Sequence, residues 1–229
     1  MGIVIEAWLA DVTGAREDAL DLQVLDAAER ERADAFLRPA DRVRYLAAHV
    51  LLRHLLGGRT GRAPREVRFA RLACAGCGGP HGRPVLDDPR TGVHFSLSHG
   101  GHLVMVGLAG VPLGVDVEPC PEPGTVDRLS RLLHPGERQD LAAVPAPRRP
   151  AALARLWTRK EAYLKALGTG LTRDLAADYT GETGRAPAPP GWTTTSVDAA
   201  PGHAAAVCYA HDRPARLLLR RAEHLVGPP

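Results

Sequence analysis

Three apolar-rich runs separated by glycine turns dominate the middle of this chain: Phe95-Ser-Leu-Ser-His-Gly-Gly101, Leu103-Val-Met-Val-Gly-Leu-Ala109, and Val111-Pro-Leu-Gly114 leading into Val115-Asp-Val-Glu118. Short strands closed by Gly and Pro turns predict antiparallel hairpins, which commit this segment to a small sheet. A related pattern returns in the second half. His102 to Ala109, a turn and Leu113 to Val117 resemble His203-Ala-Ala-Ala-Val-Cys-Tyr-Ala210, a turn and Ala215 to Leu219. Chance similarity of two hairpins is the competing explanation.

Helical signals surround these strands. Asp26-Ala-Ala-Glu29 is a capping-box start for a helix reaching Phe36. Val43, Leu46, Ala47, Val50 and Leu51 mark the apolar face of a second helix, with an end at Gly57-Gly58. Further helices are predicted near Val126 to Leu133, Pro135 to Leu141 and Trp157 to Gly168. Strands are predicted for Met1 to Trp8, near Val67 to Leu72, Trp192 to Val197, Ala204 to Tyr209 and Arg216 to Arg220, with a Pro/Gly loop from Arg185 to Gly191. The fold class is α+β, with a division near Val111 to Gly114 into residues 1–112 and 113–229.

Lysine is almost absent. Lys160 and Lys165 are the only two, against 27 arginines, and both lie in Trp157-Thr-Arg-Lys-Glu161-Ala-Tyr-Leu-Lys165-Ala-Leu-Gly168. A compact ammonium is not interchangeable with a planar guanidinium, so the pair points to a specific use, although two neighbouring surface lysines would look the same. Trp157, Glu161 and Lys165 share one helix face, and Glu161 precedes Lys165 in the favourable order, as in a structural salt bridge. Upstream, Gly114-Val-Asp116-Val-Glu118 alternates like a half-buried strand and sends Asp116 and Glu118 to the same side. Two such carboxylates need a cation between them. An arginine or a helix terminus can serve, and so can magnesium, which typically takes one or two carboxylates, waters and substrate phosphates. With Glu161 as a third acid and lysines as point charges, a magnesium-pyrophosphate site is the sharper reading.

Ser98 and His99, at the end of a strand, can donate to a phosphate, or can be ordinary strand-end polarity. No Gly-x-Ser-x-Gly elbow supports a serine hydrolase.

Together, Phe95 to His99, Gly114 to Glu118 and Trp157 to Leu171 resemble, in order, the Phe-x-x-Ser-His, Gly-x-Asp-x-Glu and Trp-x-x-Lys-Glu-Ala-x-x-Lys-x-x-Gly-x-Gly-Leu segments of the 4′-phosphopantetheinyl transferases of the long, single-chain, surfactin-synthetase-activating type. The resemblance implies a pseudo-dimer of two similar α/β subdomains, each a small mostly antiparallel sheet packed with helices, with the active site between them. It implies transfer of 4′-phosphopantetheine from coenzyme A to a serine of an apo acyl, peptidyl or aryl carrier protein, releasing adenosine 3′,5′-bisphosphate. Asp116, Glu118 and Glu161 then correspond to ligands of Mg2+, with Mn2+ as an alternative. Lys165 and Lys160 correspond to phosphate contacts, and Ser98, His99, Arg32, Arg44 and Arg83 to further coenzyme contacts. Glu161 is the candidate general base. Glu137 stands where relatives carry another acid, but reads as a first-turn helix residue.

Two features depart from that family pattern. Gly100 replaces a common serine, and Cys74-Ala-Gly-Cys77 forms a knuckle with His81 nearby but no visible four-ligand zinc set. A net charge of +3 is too small to argue nucleic-acid binding, while Arg30, Arg32, Arg38, Arg42 and Arg44 crowd the N-terminal third, where a polyanion would be steered. The four cysteines, and a first strand unlike a signal peptide, predict a cytoplasmic enzyme with no membrane contact, acting as a monomer. Two other functions fit parts of the pattern: a magnesium-dependent nuclease or phosphodiesterase, and an Arg-rich zinc-knuckle module that binds nucleic acid.

Overall fold

The structure, a computed structural model, describes residues 2–80 and 82–222, so Met1 and His81 lie outside the described residues. In chain order it contains β1 (Val4–Asp11), α1 (Ala27–Asp34), α2 (Pro39–Thr60), β2 (Phe69–Arg71), β3 (Pro84–Leu86), β4 (His94–Gly100), β5 (Leu103–Ala109), β6 (Leu113–Pro119), α3 (Val126–Ser130), α4 (Pro135–Ala142), α5 (Arg149–Leu167), β7 (Thr193–Val197), β8 (His203–Tyr209) and β9 (Arg216–Ala222). Two larger sheets run β4-β5-β1-β9 and β6-β8-β7, and a third pairs β2 with β3. All pairings are antiparallel except β1 with β9.

Every residue of β5 is buried, because both of its faces are covered. Leu103 and Met105, with Ile5, Ala7 and Leu9 of β1, meet Val115 and Val117 of β6 and Ala205, Val207 and Tyr209 of β8 across the gap between the sheets. Val104, Val106 and Leu108 face Ala48, Leu51, Leu52 and Leu56 of α2. Ala162, Tyr163, Leu164 and Ala166 of α5 cover Ala206 and Cys208 on the far side. The layers therefore run helix, sheet, sheet, helix. Each fully buried Leu or Val contributes roughly 1.5–3 kcal/mol, which makes these three interfaces the main hold on the fold.

The capping box at α1 forms as the sequence predicts: Asp26 Oδ1 accepts from Glu29 N at 2.9 Å, and Glu29 Oε2 accepts from Asp26 N at 2.9 Å. The second predicted hairpin does not form. β4 and β5 pair, but β5 is already flanked by β4 and β1, so β6 leaves that sheet and pairs with β8. The echoed segment makes the opposite crossing, since β8 belongs to the second sheet while β9 joins β1 in the first. A boundary at 112/113 thus leaves β9 in the sheet of the first half. α2 also runs through Gly57 and Gly58 and stops at Gly61, with φ 68°. Gly57 is a packing glycine, because a Cβ there would lie 2.8 Å from Arg62 O. α5 begins at Arg149, well before Trp157, and ends at Gly168 with φ 79°, as predicted. The short β3 has no counterpart in the sequence reading.

Candidate active site

The two larger sheets meet along β4 and β6 without a backbone ladder. Side chains take its place: Val115 N donates to Ser96 Oγ at 3.0 Å and Val117 N to Ser98 Oγ at 3.4 Å. The alternation of β4 that buries Phe95 against α2 thereby aims Ser96 and Ser98 across the seam. Gly100 continues the close approach, for a Cβ there would sit 2.5 Å from Val117 O and 2.9 Å from Glu118 Oε2. The missing hydroxyl at this position is therefore a steric requirement. Gly114 does the same on the helix side, where a Cβ would collide with Ala162 O of α5.

These contacts bring Asp116, Glu118, Glu161 and Lys165 together. Lys165 Nζ lies 2.7 Å from Asp116 Oδ1 and 2.8 Å from Ser98 Oγ, and Ser98 Oγ donates to Asp116 Oδ1 at 2.8 Å. Asp116 is 2% exposed, and its second oxygen, Oδ2, is buried without a hydrogen-bond partner. Burial, with Asp116 and Glu161 nearby, pushes the Glu118 carboxyl up to about 7. Burial and Asp116 likewise raise that of Glu161. One ammonium is too little positive charge for three desolvated acids.

Among the described residues no group of three or more His, Cys, Asp and Glu side chains stands close enough together to hold a metal ion. An orphaned carboxylate oxygen beside two acids of raised pKa is nevertheless a hard-oxygen donor set short of a cation, which fits magnesium or manganese.

Lys160, grouped by the sequence pattern with the coenzyme contacts, lies elsewhere. It is 1% exposed, its Nζ is 2.9 Å from Glu137 Oε1, and it donates to Asp178 O. One residue along α5 is a turn of roughly 100°, which carries Lys160 off the face of Glu161 and Lys165. Glu137 completes the capping box of α4, accepts from Thr180 N at 2.7 Å and is fully buried. It is a helix-start acid, as the sequence predicts, and the anchor of a buried ion pair as well.

The predicted arginines spread along the neighbouring walls. Arg44 donates to Gly101 O at 2.6 Å and stands close enough to act on Glu118 and His99. The His99 imidazole is held below its ordinary pKa by burial, then by Arg44. Arg83 donates to Ala166 O at 2.9 Å and, with Lys165, Gly168 and Thr172, lines a cavity of about 530 Å³. Arg32 lines a second cavity of about 670 Å³ with Tyr45 and His49, while its guanidinium lies 5.6 Å from the Phe36 ring. The cavities share Arg71, Pro84, Phe95 and Leu97. Sequence reading passes over Arg71, whose only signal is one arginine among many.

Residues 112–208, which hold all three acids and Lys165, match the family model described as the 4′-phosphopantetheinyl transferase superfamily. The 4′-phosphopantetheinyl transferase HetI of Nostoc sp. is 32% identical over 153 residues, covering 65% of this chain and 62% of its own length. The 4′-phosphopantetheinyl transferase Sfp of Bacillus subtilis is 27% identical over 192 residues, covering 80% of this chain and 81% of its own. A protein of Synechocystis sp. described as a putative 4′-phosphopantetheinyl transferase is 32% identical over 155 residues, covering 66% of this chain and 60% of its own length. The chain thus spans about three-fifths of two of these relatives. The mixed α and β layers with small, mostly antiparallel sheets agree with the predicted fold class. Neither the nuclease nor the zinc-knuckle reading gains support from this match. Among the described residues no helix is long and apolar enough to cross a membrane.

Proposed function

We propose that the chain transfers the 4′-phosphopantetheine arm of coenzyme A to a serine of an apo carrier protein, leaving adenosine 3′,5′-bisphosphate. The observation that carries this reading is the buried, unpartnered Asp116 Oδ2 beside Glu118, Glu161 and Lys165, within the stretch that matches the superfamily. Asp116, Glu118 and Glu161 would hold Mg2+ or Mn2+, which when bound supplies charge neutralisation at the pyrophosphate. Lys165, already fixed against Asp116 and Ser98, presents a point charge to phosphate oxygens. Arg44, Arg83 and Arg32 offer cations along the walls to a polyanionic coenzyme, and His99 closes the strand end beside Arg44. Glu161, whose carboxyl pKa is raised by burial, would accept the proton of the serine hydroxyl. The reciprocal crossings of β5 to β6 and β8 to β9 support a pseudo-dimer, while a division at 112/113 leaves both β6 and β9 in the second half.

The test is intact-mass spectrometry of an apo carrier protein incubated with this chain, coenzyme A and magnesium. A phosphopantetheine mass increment that disappears with a chelator is expected. An unmodified carrier, with folded enzyme and carriers of fatty-acid, polyketide and nonribosomal-peptide type all tried, overturns the reading.

A further inference from the structure

The loop between β2 and β3 carries a cysteine pair that the proposed chemistry does not use. Ala75–Cys77 form a turn, Gly78 N donates to Cys74 O at 2.8 Å, and Cys74 N donates to Gly79 O at 2.7 Å. Gly78 takes φ 73°, a left-handed conformation that closes the loop and favours glycine. Such a turn holds its end residues within about 7 Å between Cα atoms. That distance overlaps the roughly 4.4–6.8 Å a disulfide spans. The sulfurs are unequal: Cys74 is 3% exposed, whereas Cys77 is exposed. The Cys77 thiol reaches the Cys74 sulfur, which also accepts from the backbone N–H groups of Cys77 and Gly76, and these contacts favour its thiolate.

The loop also presses on the cavity wall. Cys74 Sγ is 3.9 Å from Thr172 Oγ1, and a Cβ on Gly76 would lie 2.5 Å from the same oxygen. Residues 169–172 line the cavity that holds Lys165 and Arg83. A change in the cysteine loop would therefore be felt first at the Thr172 side chain.

We propose that Cys74 and Cys77 are a dithiol that a small disulfide oxidant converts into an intraloop disulfide, shifting the 169–172 wall and weakening the hold of the cavity on coenzyme A. The exposed Cys77 sulfur, its proton passing to the Cys74 thiolate that it contacts, attacks one sulfur of oxidised glutathione, forming a mixed disulfide and expelling one glutathione thiolate, which takes that proton back from Cys74. The Cys74 thiolate then attacks the Cys77 sulfur and expels the second. Two protein thiols and one oxidised glutathione become one protein disulfide and two reduced glutathiones; the two electrons pass to glutathione, and the two thiol protons end on its thiols. The effect on coenzyme binding rests on the function proposed above.

Oxidised and reduced glutathione are titrated against the full chain, followed by alkylation, digestion and mass measurement of the peptide spanning Cys74 and Cys77. Coenzyme A affinity is measured by calorimetry on the same samples. Expected are a loss of two hydrogens within that peptide, reversed by dithiothreitol, and an affinity reduced about fivefold, the low end of ordinary coupling between sites. The exposed-site variant Cys77→Ser should bind coenzyme A equally in both buffers. A glutathione adduct that never resolves to a disulfide overturns the proposal. So does zinc that co-purifies with the chain and shields both thiols from alkylation, or an oxidised form that binds as tightly as the reduced one. Reduced protein that fails to bind coenzyme A at all would instead count against the transferase reading, while the peptide mass still decides the disulfide.

Discussion

Removing either member of the Lys160–Glu137 pair should cost stability, not chemistry. Glu137 is fully buried and Lys160 is 1% exposed, so each is the other's compensation for leaving water. Breaking a buried pair from one side typically costs about 3–5 kcal/mol, because it strands a desolvated charge. The two sides differ here. In Lys160→Met, Glu137 still accepts from Thr180 N at 2.7 Å, Thr180 Oγ1 at 2.9 Å and His134 N at 3.1 Å. Its charge stays partly solvated by the protein, and the cost should fall near or below the bottom of that range, about 2–3 kcal/mol. Glu137→Ala strands Lys160 with the carbonyl of Asp178, unpairs both Thr180 donors and removes half of the capping box of α4. Its cost should reach about 4–5 kcal/mol. For a chain of this size, 1 kcal/mol moves the melting midpoint by about 2–4 °C, so the midpoints should drop by roughly 4–12 °C and 8–20 °C respectively. Differential scanning calorimetry supplies the midpoints, and carrier-modification kinetics at low temperature supply kcat and KM. Michaelis constants for coenzyme A should stay within about twofold of wild type, given that Lys160 contacts none of Asp116, Ser98 or Lys165. A Lys160→Met enzyme with the wild-type midpoint and lost activity would refute this account and return Lys160 to the coenzyme site.

Three further outcomes are expected. Lys165→Arg should lower transfer despite keeping the charge, because a planar fork cannot reproduce the 2.7 and 2.8 Å contacts of Nζ to Asp116 and Ser98; unchanged steady-state kinetics would make Lys165 a bystander. Gly100→Ser should destabilise by roughly 1–3 kcal/mol, with the added Cβ pressing on Val117 O and Glu118, and a chemical-denaturation midpoint at or above wild type would contradict the close approach. Glu118 has a folded-state pKa of about 7 against an ordinary 4.5. Its ionisation therefore costs stability, with the cost absent below the ordinary value and complete above about 7. Melting of metal-free protein should accordingly fall as pH rises from about 5 to 8, and Glu118→Gln should flatten that slope; an equal slope in the variant would be inconsistent with the shift.

Sequence alone carried much of the local structure of this chain. Asp26 and Glu29 make a reciprocal cap, Gly168 ends α5, and the alternation of 114–118 puts Asp116 and Glu118 on one side, each a relation within a few residues. Local rules can decide such features because the partners are covalent neighbours. Only the tertiary structure decided which strands pair. Leu103–Ala109 and Leu113–Pro119 have the pattern of a hairpin, yet β5 spends both edges on β4 and β1, and β6 finds β8 in the second sheet. Lys160 and Lys165 look equivalent on paper, and packing separates them, burying one against Glu137 and leaving the other on Asp116. Gly100 reads as a missing hydroxyl, but it is glycine because the Val117 carbonyl of the other sheet occupies the space of a Cβ. These contacts join residues distant in sequence, and burial and close approach exist only once the layers are assembled.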